Sequence, residues 1–266
     1  MISSDFLCPN EFIQLGEKLC DAAQDVILNH FRQSLDVEGK SDDSPVTIAD
    51  RNAESAMRDL INTAYPDHGI VGEEHGSENL DAEFVWALDP IDGTRSFISG
   101  HAIFGTLVAL LRNNQPVMGI LAMPVLGERW VGATGHKTLF KDFRGITQAT
   151  TRDCAKLSDA TIATTSPHLF KEDEFPKFDR VRQNTKMPLY GGDCYNYGLV
   201  SSGLIDLTVE AGMGVYDFLA QVPILTGAGG TMTDWEGNAL GMHSDGKVIA
   251  AGDARVHQEV CNLINQ

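Results

Sequence analysis

Nine residues, Trp86-Ala87-Leu88-Asp89-Pro90-Ile91-Asp92-Gly93-Thr94, constrain this chain more than any other stretch. Residues 84–88 have the apolar continuity of a buried strand, so Asp89 and Asp92 emerge where that strand is expected to end. Pro90 is expected to stop the strand, because proline lacks a backbone N–H and has a fixed φ. The turn would aim both carboxylates at one point, where a hard divalent cation finds oxygen ligands. Gly93 permits close backbone approach, so the N–H groups of Gly93 and Thr94 are placed to meet phosphate oxygens. The plainer alternative is an acidic turn after a strand.

Charge sharpens that choice. Lys plus Arg number 20 and Asp plus Glu 37, a net charge of −17, which argues against nucleic acid or an anionic membrane as partner. The same surface would repel a phosphate substrate unless a bound dication inverted the local sign. Most of the acids serve solubility. Hydrophobic residues make up 42% of the chain, enough for a substantial core. No apolar run approaches the ~20 residues of a membrane span. The first residues, Met1-Ile-Ser-Ser-Asp, lack the pattern of a signal peptide. Five scattered cysteines without a Cys-x-x-Cys suggest neither a disulfide framework nor a zinc site, and the expected compartment is the reducing cytoplasm.

Periodicity predicts an amphipathic helix over 11–32, with Phe12, Leu15, Leu19 and Val26 on its apolar face. Residues 36–44 read as a polar loop. Thr47 and Asp50 resemble a capping box opening a helix to about 64, with Ala49, Ala53, Met57, Leu60 and Ile61 inward. A short strand over 69–72 would lead into Glu73. Segments 106–112, 116–123 and 129–134 read as a meander, turning at Asn113-Asn114-Gln115 and Leu126-Gly127-Glu128. Residues 137–151 are not readable. Beyond them, strands are expected over 160–165, 204–210, 231–235 and 248–251, and helices over 192–203, 217–227 and 255–264, with Asp217 capping the second of these. The Gly227-Ala228-Gly229-Gly230 run follows a helix and reads as its C-cap rather than a nucleotide loop. The mixture indicates an α+β protein of layered helices and sheets.

The Asp89–Thr94 string resembles the first signature of the inositol-monophosphatase-like family of magnesium-dependent phosphatases. Three further pieces appear in family order: Val46-Thr47-Ile48-Ala49-Asp50, Gly72-Glu73-Glu74, and Tyr216-Asp217-Phe218-Leu219-Ala220 with Gly227-Ala228-Gly229-Gly230. The resemblance spans 45–230. It implies a layered α-β-α-β-α sandwich of the inositol monophosphatase and fructose-1,6-bisphosphatase type. It also implies one domain, with a metal and phosphate half over about 1–155 and a substrate half over about 156–266. Carried over residue by residue, it places Glu73, Asp89, Asp92, Asp217 and the Ile91 carbonyl around two or three Mg2+ ions. Asp89 would bridge two of them, and Glu73 counts also among the catalytic residues. Thr94, hydrogen-bonded to Asp50, would orient the attacking water. The plainer role for Asp50 is a helix N-terminal acid. Glu74 would stand behind Glu73, and Lys40 would approach either a third metal-site water or the phosphate from the 36–44 loop. The partner implied is a small-molecule phosphate monoester, and the assembly implied is a homodimer.

The substrate half resembles the histidinol-phosphate phosphatase branch through Asp92-Gly93-Thr94-Arg95-Ser96-Phe97, Gly191-Gly192-Asp193-Cys194-Tyr195-Asn196-Tyr197-Gly198 and Tyr216-Asp217-Phe218. The inositol branch usually carries a smaller residue at the positions of Asp193 and Arg95, and Trp in place of Tyr216. Asp193, Glu210 and Arg95 are the expected substrate-binding residues. Two carboxylates there suit a cationic substrate better than a neutral polyol, because an unpartnered buried carboxylate is costly. A helix N-cap is the plainer role for Asp193. Inositol monophosphate is the alternative substrate. Weaker alternatives are 3′-phosphoadenosine 5′-phosphate, for which no adenine site is legible, and a non-catalytic scaffold.

Overall fold

A computed structural model describes residues 6–33, 37–39 and 45–266, with backbone alone for 37–39 and 45–47. The first half runs α1 (Asn10–His30), β1 (Val37–Gly39), β2 (Pro45–Thr47), α2 (Ile48–Ala64), β3 (Gly69–Gly72), β4 (Gly76–Glu78), β5 (Phe84–Asp92), α3 (Thr94–Ile98), β6 (Gly105–Arg112), β7 (Gln115–Met123), β8 (Glu128–Ala133), β9 (Leu139–Asp142) and β10 (Gly145–Gln148). The second runs β11 (Thr161–Thr164), α4 (Phe175–Gln183), β12 (Met187–Tyr190), α5 (Tyr195–Ser201), β13 (Leu207–Glu210), α6 (Val215–Phe218), α7 (Gln221–Ala228), β14 (Thr231–Thr233), β15 (Val248–Ala251) and α8 (Ala254–Ile264).

Among the described residues, one eight-stranded sheet has the order β10-β9-β8-β7-β6-β5-β3-β4, and a five-stranded sheet has the order β12-β11-β13-β15-β14. Residue alternation along β6 shows how three layers of core arise, since successive side chains in a strand face opposite ways. Val108 and Leu110 pack outward with Leu19, Ile27, Met57 and Ile61 of α1 and α2. Leu107, Ala109 and Leu111 face inward, where Val200 of α5 and Ile224 and Leu225 of α7 fill the space before Val248 and Ala250 of the second sheet. Ile162, Leu207 and Ile249 on that sheet's far side meet Phe178 of α4 and Val256 and Val260 of α8. The result is the expected α-β-α-β-α sandwich.

Several expectations needed correction. Pro90 does not end the strand: β5 continues to Asp92, and a register shift between Asp89 and Asp92 absorbs one extra residue opposite β6. The Thr106 hydroxyl donates to the Pro90 carbonyl at 2.8 Å within this bulge. Leu60 is exposed, and Glu54 takes an inward position instead. The helix expected over 217–227 is two, α6 and α7, and α5 is shorter than expected. Segment 137–151 contains the β9–β10 hairpin. Asn113 and Asn114 both have positive φ, 50° and 65°, as a two-residue hairpin turn requires. The C-cap reading holds: Gly229 has φ 101° and the Gly230 N–H donates to the Leu225 carbonyl at 2.9 Å. Lys40 and most of the 36–44 loop lie outside the described residues, as does the Thr47 side chain; Val37–Gly39 within that segment pairs with Pro45–Thr47.

Candidate active site

The site forms where β3 and β5, paired in parallel, end on the same side of the sheet. Gly72 pairs with Leu88, so the next residues, Glu73 and Asp89, are neighbours across the ladder. The Glu73 N–H donates to the Leu88 carbonyl at 3.3 Å. α6 packs against β5 and brings Asp217 to the same point. One carboxylate oxygen from each of Glu73, Asp89 and Asp217 lies within 4.8 Å of the others. Each of the two aspartates is held by a backbone amide: Asp89 Oδ1 accepts from the Ile91 N–H at 3.0 Å, and Asp217 Oδ2 accepts from the Gly214 N–H at 2.7 Å. Asp217 is thus the third residue of its short helix rather than a cap. Asp50, in the first turn of α2, is buried, and its charge reaches Asp89.

Asp92 sits on the second-half side of the bulge. Its Oδ2 accepts from the Cys194 N–H at 2.6 Å, which docks the start of α5 against β5. Thr94 opens α3, and its hydroxyl donates to the Ile91 carbonyl at 3.1 Å. Gly93 precedes it with φ 86°, and a Cβ there would lie 3.1 Å from Asp193 Oδ2, so conformation and space both call for glycine. The first N–H groups of α3 have no carbonyl partners within their own helix and face outward from its start.

Asp193 does not cap α5. It adopts a left-handed φ of 45° and accepts from the Ser96 hydroxyl at 3.2 Å, joining α3 to the loop that precedes α5. Arg95 is exposed, and its charge partly offsets the burial that raises the Asp193 carboxyl. Glu210 is buried; it accepts from Thr164 Oγ1 at 3.0 Å, Thr165 N–H at 2.7 Å and Thr165 Oγ1 at 2.9 Å. A cavity of about 200 Å³ joins Asp92, Asp193, Glu210 and Asp217, with Thr165, Leu169, Tyr197 and Met213 completing much of its wall. Among the described residues, no lysine or arginine lines it. A larger cleft of about 590 Å³, lined by Gln115, His136, Lys137 and Pro223 among others, contains none of the predicted site residues.

Burial and mutual repulsion dominate the electrostatics. Asp89 is raised well above the carboxylate range by burial and by Glu73, Asp92, Asp217 and Asp50. Asp217 is raised by burial, Asp92 and Glu73. Asp92 is pushed up to about 7 by burial and Asp193, and Glu210 to about 7 by burial despite its threonine donors. A carboxylate with a raised folded pKa binds more protons folded than unfolded between the two values, so folding weakens as pH rises through that window. The metal-free protein should therefore melt at a higher temperature at about pH 5 than at about pH 8. Asp253, held low by its hydrogen bond to Arg255, titrates below the window; His68 and His257, lowered by burial, act in the opposite sense within it but are set against four raised carboxyls, Asp89, Asp92, Glu210 and Asp217. Calorimetry in chelator checks this; equal melting temperatures in a variant lacking the two imidazoles of His68 and His257 would mean that these acids do not raise one another in the fold.

Sequence reasoning missed Ser96, Thr164 and Thr165, which hold the Asp193 and Glu210 carboxylates. It also missed Glu54, a fully buried acid on α2. A signal for the last was present in Glu54 and Arg58, an acid and a base four apart on one helix face.

Fold and carboxylate site together define a phosphatase of the layered-sandwich class. The inositol monophosphatase family matches residues 9–266, and the chain belongs to that family. A bifunctional phosphatase IMPL2 of Arabidopsis thaliana, described as chloroplastic, is 46% identical over 259 residues, covering 94% of this chain and 74% of the relative. A histidinol-phosphatase of Streptomyces coelicolor is 34% identical, covering 96% of this chain and 97% of its own. The solved structure of an inositol monophosphatase from Zymomonas mobilis superposes with a TM-score of 0.88 at 45% identity, covering 98% of this chain and all of the other. Among the described residues, no helix is long and apolar enough to cross a membrane.

Proposed function

We propose that this protein hydrolyses histidinol phosphate, with Mg2+ held by Glu73, Asp89, Asp92, Asp217 and the Ile91 carbonyl. The observation that carries the substrate reading is the cavity beside the proposed metal residues, whose charged lining among the described residues is carboxylate. A neutral polyol would bring no positive charge to Asp193 and Glu210, leaving only the partial offset of Arg95 at Asp193. An amine and an imidazole would bring that charge. The histidinol-phosphatase names of relatives from Streptomyces coelicolor and Chlorobaculum parvum support the same reading. A second reading, an inositol phosphate, draws support from the Zymomonas neighbour.

The donor set fits magnesium: all candidate ligands are oxygens, three carboxylates converge on one point, and Asp89 among them is raised by its acidic neighbours. Magnesium bound there supplies charge that polarises the phosphoryl group and acidifies water. Water attacks phosphorus, the ester P–O bond breaks, and the alcohol leaves carrying a proton. The N–H groups at the start of α3 bind the phosphate oxygens. Thr94, its hydroxyl proton directed to the Ile91 carbonyl, presents an oxygen lone pair to the attacking water, and Asp50 helps orient it. Asp193 and Glu210 hold the cationic end, with Arg95 at the rim. Buried, unbridged cysteines agree with a reducing cytoplasm, and family resemblance supports a homodimer.

The test is a phosphate-release panel of histidinol phosphate, inositol 1-phosphate and 3′-phosphoadenosine 5′-phosphate, with magnesium and with chelator. The expected result is turnover of histidinol phosphate above the others, abolished by chelation and restored by magnesium. Preference for inositol phosphate would overturn the substrate reading, and full activity in metal-free protein would overturn the metal reading.

A further inference from the structure

The turn that carries Glu73 is fastened to α2 by contacts that none of the proposed metal, phosphate or substrate residues supplies. Glu54 is fully buried on α2, and its two carboxylate oxygens reach into the β3–β4 turn. Oε2 accepts from the Glu74 N–H at 2.8 Å and Oε1 from the His75 N–H at 3.1 Å. Arg58, one helical turn on, donates Nε to the same Oε1 at 2.7 Å. Its other guanidinium nitrogens reach Glu78 at 3.1 Å and the Gly76 carbonyl. A Cβ on Gly72 would lie 2.0 Å from Glu54 Oε1, so the absence of a side chain there admits the carboxylate. The turn's one imidazole is tied to the same helix: His75 Nε2 lies 3.0 Å from both Ser55 Oγ and the Arg51 carbonyl.

We propose that Glu54, locked by Arg58, is a positioning residue that fixes the 73–75 turn on α2 and thereby sets Glu73 against Asp89 and Asp217. The proposal rests on the metal reading given above. A buried carboxylate is stable here because two backbone donors and a guanidinium satisfy it. The role requires an acceptor with two oxygens. Glutamine would turn an N–H2 group toward one of the backbone donors and remove the charge facing Arg58. Without Glu54, the backbone of Glu73 retains the long 3.3 Å bond to Leu88. Asp50 stands in the first turn of the same helix. α2 therefore relates the acid that orients water to the acid that holds metal, as one rigid element.

The experiment compares wild type, Glu54→Gln and Arg58→Lys by magnesium titration calorimetry and by amide hydrogen exchange of the 73–76 segment. Glu54→Gln is expected to weaken magnesium binding by about tenfold or more, the usual effect of removing a group that orients a metal ligand. Exchange at Glu74 and His75 should accelerate in parallel. Should Glu54→Gln fail to fold, Arg58→Lys keeps the charge but loses the guanidinium fork, and is expected to weaken binding by about threefold or more. Glu78→Gln, at the exposed end of the Arg58 contacts, should leave binding unchanged. Magnesium affinity within about twofold of wild type in a folded Glu54 or Arg58 variant overturns the proposal, whatever its melting temperature. Wild-type protein that binds no magnesium would instead overturn the metal reading, and exchange at Glu74 and His75 would then decide the fastening by itself.

Discussion

Asp89→Asn is expected to lower kcat by about a hundredfold or more while raising the melting temperature of the metal-free protein. The two effects have one cause. Asp89 is 1% exposed and surrounded by Glu73, Asp92, Asp217 and Asp50, all of which raise its pKa after burial itself. In the proposed magnesium site, that concentration of charge would hold the ion. Without it, the same concentration opposes folding. Asparagine keeps the shape, and its carbonyl oxygen still accepts from the Ile91 N–H. Its amide group can also donate to the facing carboxylates. The variant therefore loses charge at the metal and relieves repulsion in the empty fold. Turnover at saturating magnesium and calorimetry in chelator measure the two sides. Near-normal turnover would take Asp89 out of the ligand set. A lowered metal-free melting temperature would mean that packing, rather than repulsion, governs the position.

The contrast between Asp89 and Glu54 shows what was legible in the sequence. Asp89 and Asp92 could be read because they follow an apolar strand within one short string, and chain connectivity alone puts them side by side. Glu73 and Asp217 were legible only through resemblance, since parallel pairing of β3 with β5 and the docking of α6 bring them in. Glu54 was hidden because helical periodicity sorts residues by hydropathy. A carboxylate takes an inward place when backbone donors about twenty residues away satisfy it, and nothing local announces those donors. Pro90 misled for a related reason. A proline removes one ladder bond, but the bulge and the Thr106 hydroxyl let β5 continue past it. The β9–β10 hairpin escaped because most of its apolar residues are not on a buried face: Phe143 is 91% and Ile146 65% exposed, while Phe140 packs inward against Trp130. Alternation is a signal only where one face is buried.

Asp193→Asn is expected to change which substrate the protein prefers. The position is favourable for the test. Its φ of 45° is one that asparagine adopts readily, and the Ser96 hydroxyl, which donates to Asp193, can donate to an amide oxygen as well. The substitution thus removes charge with little else. If Asp193 pairs with the amine or imidazolium of histidinol phosphate, losing one member of that pair costs about 2–5 kcal/mol, less where the pair is partly solvated. The kcat/KM for histidinol phosphate should therefore fall by about tenfold or more. A neutral polyol phosphate gains no charge pairing from the carboxylate and should be spared or improved, since one of several mutually repelling acids leaves the cavity. The ratio of the two kcat/KM values, in wild type and variant, cancels any general damage to the metal site. An unchanged ratio would mean that Asp193 serves to join Ser96 to the start of α5, and the cationic substrate would then have to be recognised by Glu210 alone.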